Sequence, residues 1–180
     1  MQSKQMVDLV VAHDPNWKAD FDAEKRAIKA CLRGVDIMLH HIGSTAIERI
    51  LAKPIIDLLG VVSDLSQVDA NARAMEGLGY EVMGAFGIEG RRYFRKITAD
   101  GRRTHQLHIY EKNSPHIERH LAFREYLREH ANVASAYSDL KETLVSVEGQ
   151  TWGGYLDGKD AFIIETEKDA LEWYQGSQSI

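Results

Sequence analysis

The sequence predicts an α/β (α+β) fold, one domain over residues 1–180 in which a β-sheet is flanked by helices and the C-terminal half is helical, and three observations carry that expectation. Residues 55–62 form a short, almost wholly apolar run, the mark of a central strand buried on both faces. Residues 91–97 and 103–110 flank Asp100-Gly101, a strong turn dipeptide, and read as a β-hairpin. From Ser114-Pro115 onward, apolar residues recur at three-four spacing, as in helices with one buried face.

Taken in order, Asp14-Pro15 sets a capping acid and a first-turn proline ahead of Trp17, Phe21, Ile28 and Leu32, which line one face of a helix that Gly34 ends. Residues 35–42 alternate into Gly43-Ser44 and predict a strand, then a turn and a short helix. Val68, Ala72, Met75 and Leu78 have helical spacing up to Gly79, and residues 80–83 begin another strand. Gly84, Gly87 and Gly90 mark a loop. Alternation in the hairpin sets His105, Leu107 and Ile109 on one face, and Gln106, His108 and Tyr110 on the other. Ile117, Leu121 and residues 124–127 lead to a break near Asn132, after which Val133, Tyr137, Leu140, Leu144 and Val147 line a second helix. Residues 149–154 break that helix; a last one covers about residues 155–174, and Gly176 opens a frayed tail.

With 180 residues, 44% hydrophobic and 27% charged, the chain can bury a continuous core without disulfides, and its composition excludes disorder and fibrous classes. No apolar run approaches the roughly 18 residues of a membrane span. Met1-Gln2-Ser3-Lys4-Gln5 lacks the apolar segment of a secretory signal, so the expectation is a cytoplasmic protein with no membrane partner. A net charge of −5 provides no general attraction to nucleic acid. The basic clusters Arg91-Arg92 with Arg95-Lys96, and Arg102-Arg103, read either as a solvated hairpin face or as a local hold on a small anion. Cys31 lies in a helical pattern and reads as a buried small hydrophobe. Nothing in the sequence sets the oligomeric state.

Asp57 is the only charged member of the apolar strand, and a carboxylate buried there needs a cation, a donor or a metal. Thirteen residues earlier, Gly43 permits close backbone approach, and the Ser44 hydroxyl with neighbouring N–H groups can hold phosphate oxygens. His41-Ile42-Gly43-Ser44-Thr45 followed by Ala52-Lys53-Pro54-Ile55-Ile56-Asp57 resembles the signature of the GrpB family, also called UPF0157. Asn16-Trp17, Gly79-Tyr80, Leu107-His108-Ile109-Tyr110, residues 123–128, Tyr137 and Leu140-Lys141 follow in the family's order.

The resemblance implies a nucleotidyltransferase-like fold, a mixed β-sheet flanked by helices in which the Gly-Ser turn precedes a strand of metal-binding carboxylates. It implies a nucleotide or other phosphorylated small molecule as ligand and a divalent metal, Mg or Mn, as cofactor. Relatives fused to dephospho-CoA kinase point to nucleotide or coenzyme A metabolism. The residues expected at the site are Gly43, Ser44 and Thr45 on phosphate, Asp57 on metal, and Asp57 with Lys53 in catalysis, Lys53 being a phosphate-neutralising cation or else an ion-paired loop lysine. Lys141 and Lys159 stand at family-matching places, and Arg124 with Arg128 either clamps an anion or pairs with Glu125 and Glu129 at the surface. Two departures matter. Active nucleotidyltransferases place two carboxylates two residues apart on this strand, whereas the positions flanking Asp57 are Ile55 and Leu59; Glu48, Glu89 and Glu111 are the remaining acids considered. The family's usual Val-Pro-Gly-Leu is here Ile47-Glu48-Arg49-Ile50. His41 and His108, with His105 less favoured, could complete a ligand set around Asp57 that also suits zinc. The functions in view are a metal-dependent nucleotidyltransferase, a non-catalytic metabolite-binding regulator, and a His/Asp metal-dependent hydrolase.

Overall fold

The computed structural model describes residues 10–177, so the start of the chain, read above for a secretion signal, lies outside the described residues. Helix α1 spans Asn16–Cys31 with Pro15 at its cap position, one residue earlier than the first-turn place expected for it. Asp14 Oδ1 accepts from the Asn16 N–H at 2.9 Å and so supplies the expected acid. Strand β1 (Met38–Ile42) runs into a single 3₁₀ turn at Ser44–Ala46, and β2 (Ile56–Val62) follows after an extended loop. The helical stretch before Gly79 is broken at Asn71 into α2 (Leu65–Ala70) and α3 (Ala72–Gly77). Then come β3 (Tyr80–Val82), β4 (Arg91–Ile97) and β5 (Arg103–Glu111). The C-terminal half is α4 (Pro115–Glu129), α5 (Ala131–Ser146) and α6 (Trp152–Ser177).

The sheet is mixed, in the order β1-β2-β5-β4-β3, with β2 and β5 parallel and every other neighbouring pair antiparallel. Register assigns the faces. Ile42, Asp57 and Gln106 stand side by side, as do Leu59, His108 and Tyr93, and these residues share one face. His41, Leu58, Leu107 and Phe94 share the other.

On that second face Trp17, Phe21 and Ile28 of α1, with Val68 and Met75, bury Leu39, Leu58, Leu107 and Ile109 in the main core. Full burial of such a side chain contributes roughly 1.5–3 kcal/mol. On the Asp57 face, Ile117 and Leu121 of α4 cover Ile42, Leu59 and Tyr110. A third cluster joins Ile47 and Ile50 of the 43–55 loop to Leu127, Ala134 and Tyr137 of α4 and α5. The molecule thus has three layers, and the loop after Gly43-Ser44 is plugged into the helical one.

Helix α6 starts ahead of the expected position and runs through Gly153, Gly154, Gly158 and Gly176. A side chain on Gly158 would meet Leu144 of α5, with a Cβ 2.5 Å from Leu144 Cδ2, so this glycine lets the two helices touch. Among the described residues no helix is long and apolar enough to cross a membrane.

Candidate functional site

Gly43 adopts φ 72° and ψ −174°, a conformation essentially confined to glycine. Its missing side chain matters as well, because a Cβ there would lie 2.5 Å from Asp57 Oδ2. Antiparallel pairing of Ile42 with Asp57 brings the turn and the carboxylate together, so the glycine is fixed by backbone and by neighbour at once.

The loop beyond is held by side chains from the helical layer. Arg124 Nη1 donates to the His41 carbonyl at 2.8 Å, and Arg128 donates to the Ala46 carbonyl through Nε and Nη2 at 3.1 and 2.7 Å. Ser138 Oγ accepts from Leu51 N–H at 2.8 Å. Lys141 Nζ donates to Ser44 Oγ at 2.6 Å and to the Leu51 carbonyl at 2.7 Å, and lies 3.9 Å from the Tyr137 ring centroid. Val11 and Ala52 exchange both backbone hydrogen bonds at 2.9 Å. Fixing both ends and the middle of a segment removes most of its conformational freedom before any ligand arrives.

A cavity of about 340 Å³ opens over Asp57, with Ser44, Thr45 and Gln106 on the sheet side and Tyr155 of α6 opposite. Among the described residues four basic side chains line it, Lys53, Arg103, Lys141 and Lys159, against the one carboxylate. Lys53 Nζ and Lys159 Nζ each lie 4.6 Å from the Tyr155 ring centroid. Burial pushes the Asp57 carboxyl up to about 7, although Lys159, Arg103 and Lys141 pull the other way. Burial, followed by repulsion from Lys159, pushes the Lys53 and Lys141 ammonium groups down to about 7, with Arg103 adding to the effect at Lys53 and Asp57 opposing it at Lys141. Lys159 is lowered too, mainly by burial. Desolvated cations crowded around one cavity favour an anion that restores their charge.

The structure gathers Ser44, Thr45, Lys53, Asp57, Lys141 and Lys159 of the residues read from the sequence. Gly43 backs onto Asp57, and Arg124 holds the turn through the His41 carbonyl. The histidines are not gathered. His41 lies on the α1 face, stacked on Phe21 at 4.9 Å, with Nε2 2.9 Å from Thr45 Oγ1. His105 shares that face, with Nε2 3.8 Å from Glu24 Oε2. His108 is on the Asp57 face but stacks on Tyr93 at 5.1 Å, 5.7 Å from the His120 ring. Desolvation pushes His41 and His108 down to about 4. Glu111 accepts from the Leu65 N–H at 3.0 Å, and Glu48 and Glu89 are exposed. Among the described residues no group of three or more metal-ligating side chains forms. The expectation that His41 and His108 join Asp57 therefore has no geometry behind it: strand register turns one away, and an aromatic stack occupies the other.

Arg103, read from the sequence only within the Arg102-Arg103 cluster as a solvated face or a hold on a small anion, and Tyr155, which the sequence did not single out, also line the cavity. Most hairpin cations are matched to nearby acids, Arg92 to Asp69 at 2.6 Å, Arg95 to Glu81 at 2.5 Å, Lys96 to Glu24 at 2.6 Å and Arg102 to Asp100 at 2.9 Å, and Arg91 donates to the Ala85 and Phe86 carbonyls. Arg103 instead begins β5 beside Gln106 and faces the cavity. The only sequence signal for it was its place in Arg102-Arg103 after the hairpin turn.

Comparison with known proteins agrees with this architecture. The family model described as GrpB protein matches residues 8–169. The UPF0157 protein YqkA of Bacillus subtilis (strain 168) is 40% identical over 173 residues, covering 96% of this chain and 50% of its own length, so the chain spans half of that relative. The crystal structure of conserved protein GrpB from Enterococcus faecalis superposes with a TM-score of 0.86 at 42% identity, covering 92% of this chain and 99% of that one. The Cid1 poly(U) polymerase with Mg 3′-dATP bound superposes with a TM-score of 0.55 at 16% identity over 86% of this chain and 51% of its own, a likeness of fold of the nucleotidyltransferase kind.

Proposed function

The chain belongs to the GrpB family, and on that premise we propose that it binds a nucleotide or another phosphorylated small molecule in the cavity over Asp57. The observation that carries the reading is the convergence of Lys53, Arg103, Lys141 and Lys159 on a cavity lined also by Ser44 and Thr45 of the turn after Gly43. Phosphate is the common biological anion with enough charge and enough acceptor oxygens to engage several such donors at once. The nucleotidyltransferase-like fold supports the same class of ligand, since Cid1, a far more distant protein, is a poly(U) polymerase seen with Mg 3′-dATP.

Isothermal titration with nucleoside mono-, di- and triphosphates, pyrophosphate and coenzyme A tests the proposal. At least one should bind, and Arg103→Gln should weaken it about tenfold, the loss of one charge-assisted contact. If the whole panel gives no heat and shifts no amide resonance near Ser44, the reading is lost. A binding module without turnover is favoured over a nucleotidyltransferase by Ile55 and Leu59, apolar where a metal-clamping pair of carboxylates would require an acid. Release of pyrophosphate from a nucleoside triphosphate, abolished by Asp57→Asn, would reverse that preference.

A further inference from the structure

We infer that this cavity holds phosphate without a resident divalent metal, its lysines and arginine standing where metal ions stand in two-metal sites and Asp57 serving as their counter-charge. The inference rests on the anion-binding reading above and narrows it, because it specifies the form of the ligand: a phosphate bearing its full charge, not a magnesium complex.

The donor set is the first reason. A resident magnesium or manganese ion needs several oxygen ligands, and zinc needs nitrogen or sulfur ligands with few exceptions. Among the described residues Asp57 is the one acidic side chain lining the cavity, and one flank of it is closed by Gly43, whose added Cβ would sit 2.5 Å from Oδ2. Ile55 and Leu59 cannot ligate, the Glu111 carboxylate is engaged at the start of α2, and neither His41 nor His108 is directed at Asp57.

The charge balance is the second. A dication entering this cavity would approach one carboxylate, itself partly protonated near neutral pH, while meeting Arg103 and three lysines among the described residues, a net repulsion at short range in a poorly solvated space. The third reason is the Ser44 hydroxyl. In this chain it accepts from the Lys141 ammonium at 2.6 Å, and Lys141 is buried with 2% of its surface exposed and anchored also to the Leu51 carbonyl. A cation is therefore built into the turn itself, at a fixed position, by side-chain and backbone hydrogen bonds. Gly43, Ser44 and Lys141 together make a phosphate seat whose positive charge is covalently part of the protein.

Titration of the intact protein with ATP and with pyrophosphate, once in EDTA and once in excess magnesium, separates the outcomes. Binding is expected in EDTA, with affinity falling about fivefold or more when magnesium neutralises the phosphates. At a pH of about 8, where the carboxylate is ionised, Asp57→Asn should tighten binding about tenfold, because the substitution removes a negative charge facing the ligand. Loss of binding in Asp57→Asn, with its melting temperature maintained, would overturn the inference, as would binding that appears only with magnesium. Both of those results leave phosphate binding itself intact. Absence of binding in either buffer overturns the reading on which the inference stands. Electron paramagnetic resonance of added Mn²⁺ supplies a check without any phosphate: one ion held per chain and released by Asp57→Asn would also overturn the inference.

Discussion

Asp57 and Gly43 depend on each other, and each makes a prediction at the scale of a single side chain. Gly43→Ala places a Cβ against the Asp57 carboxylate at a φ of 72°, and should cost about 2–3 kcal/mol in denaturant-unfolding free energy. For Asp57 the sign follows from proton binding. Its folded value, about 7, is above its unfolded one, so between the ordinary carboxylate range and about 7 the native state holds more protons than the unfolded chain, and stability falls as pH rises through that window. Asp57→Asn should therefore gain in melting temperature relative to wild type as pH is raised from about 4 to about 7, with the gain level above that. A constant difference at all pH values would show that the carboxylate is not desolvated. Asp57 was legible in the sequence because a lone acid in an apolar strand is conspicuous. Arg103 was not, because six basic residues crowd one hairpin and only three-dimensional pairing reveals that the others are matched.

At the scale of elements, the 43–55 loop is the segment on which the site depends, and its restraints come from far along the chain. Arg128→Ala removes two hydrogen bonds to the Ala46 carbonyl and should cost about 1–2 kcal/mol, with hydrogen exchange accelerated at residues 44–47 more than elsewhere. Arg49 has a φ of 68°, a left-handed conformation that disfavours side chains. Arg49→Gly should stabilise the protein by about 0.5–1 kcal/mol, the strain relieved less the extra freedom given to the unfolded chain, measured as a shift in denaturant midpoint at unchanged slope. Element types followed from pattern: β2, the hairpin and α4 to α6 were all readable from apolar spacing and from Asp100-Gly101. Boundaries were less so. The helical stretch before Gly79 breaks at Asn71, and α6 starts early, through Gly153 and Gly154, against the low helix propensity of glycine; Gly158, inside the expected helix, is tolerated because its lack of a side chain lets α6 meet Leu144.

For the whole molecule, helices on both sides of the sheet leave histidines half-buried on both of its faces. Burial pushes His41 and His108 to about 4 and His120 to about 3, so on acidification from the ordinary imidazole range the unfolded chain takes up protons that the native state refuses. Stability should fall as pH is lowered through that range toward about 4, and His120→Gln should flatten the pH dependence of the unfolding free energy by about one proton. An unchanged slope would place His120 in water. The histidines also show the limit of one-dimensional reading. Strand alternation correctly separated His105 from His108, but which strand lies beside which, and in what register, decided that His41 aligns with Leu58 rather than Asp57. No local pattern encodes that alignment.

The Gly158–Leu144 contact has one more consequence, for kinetics. Tyr155 and Lys159 flank Gly158 on α6, so the height of that helix over α5 sets how far these two groups reach across the opening. On the proposed phosphate-binding reading, Gly158→Leu would lift this edge like a wedge under a hinge and speed both arrival and departure of the ligand, so that residence time becomes tunable from the helix–helix seam.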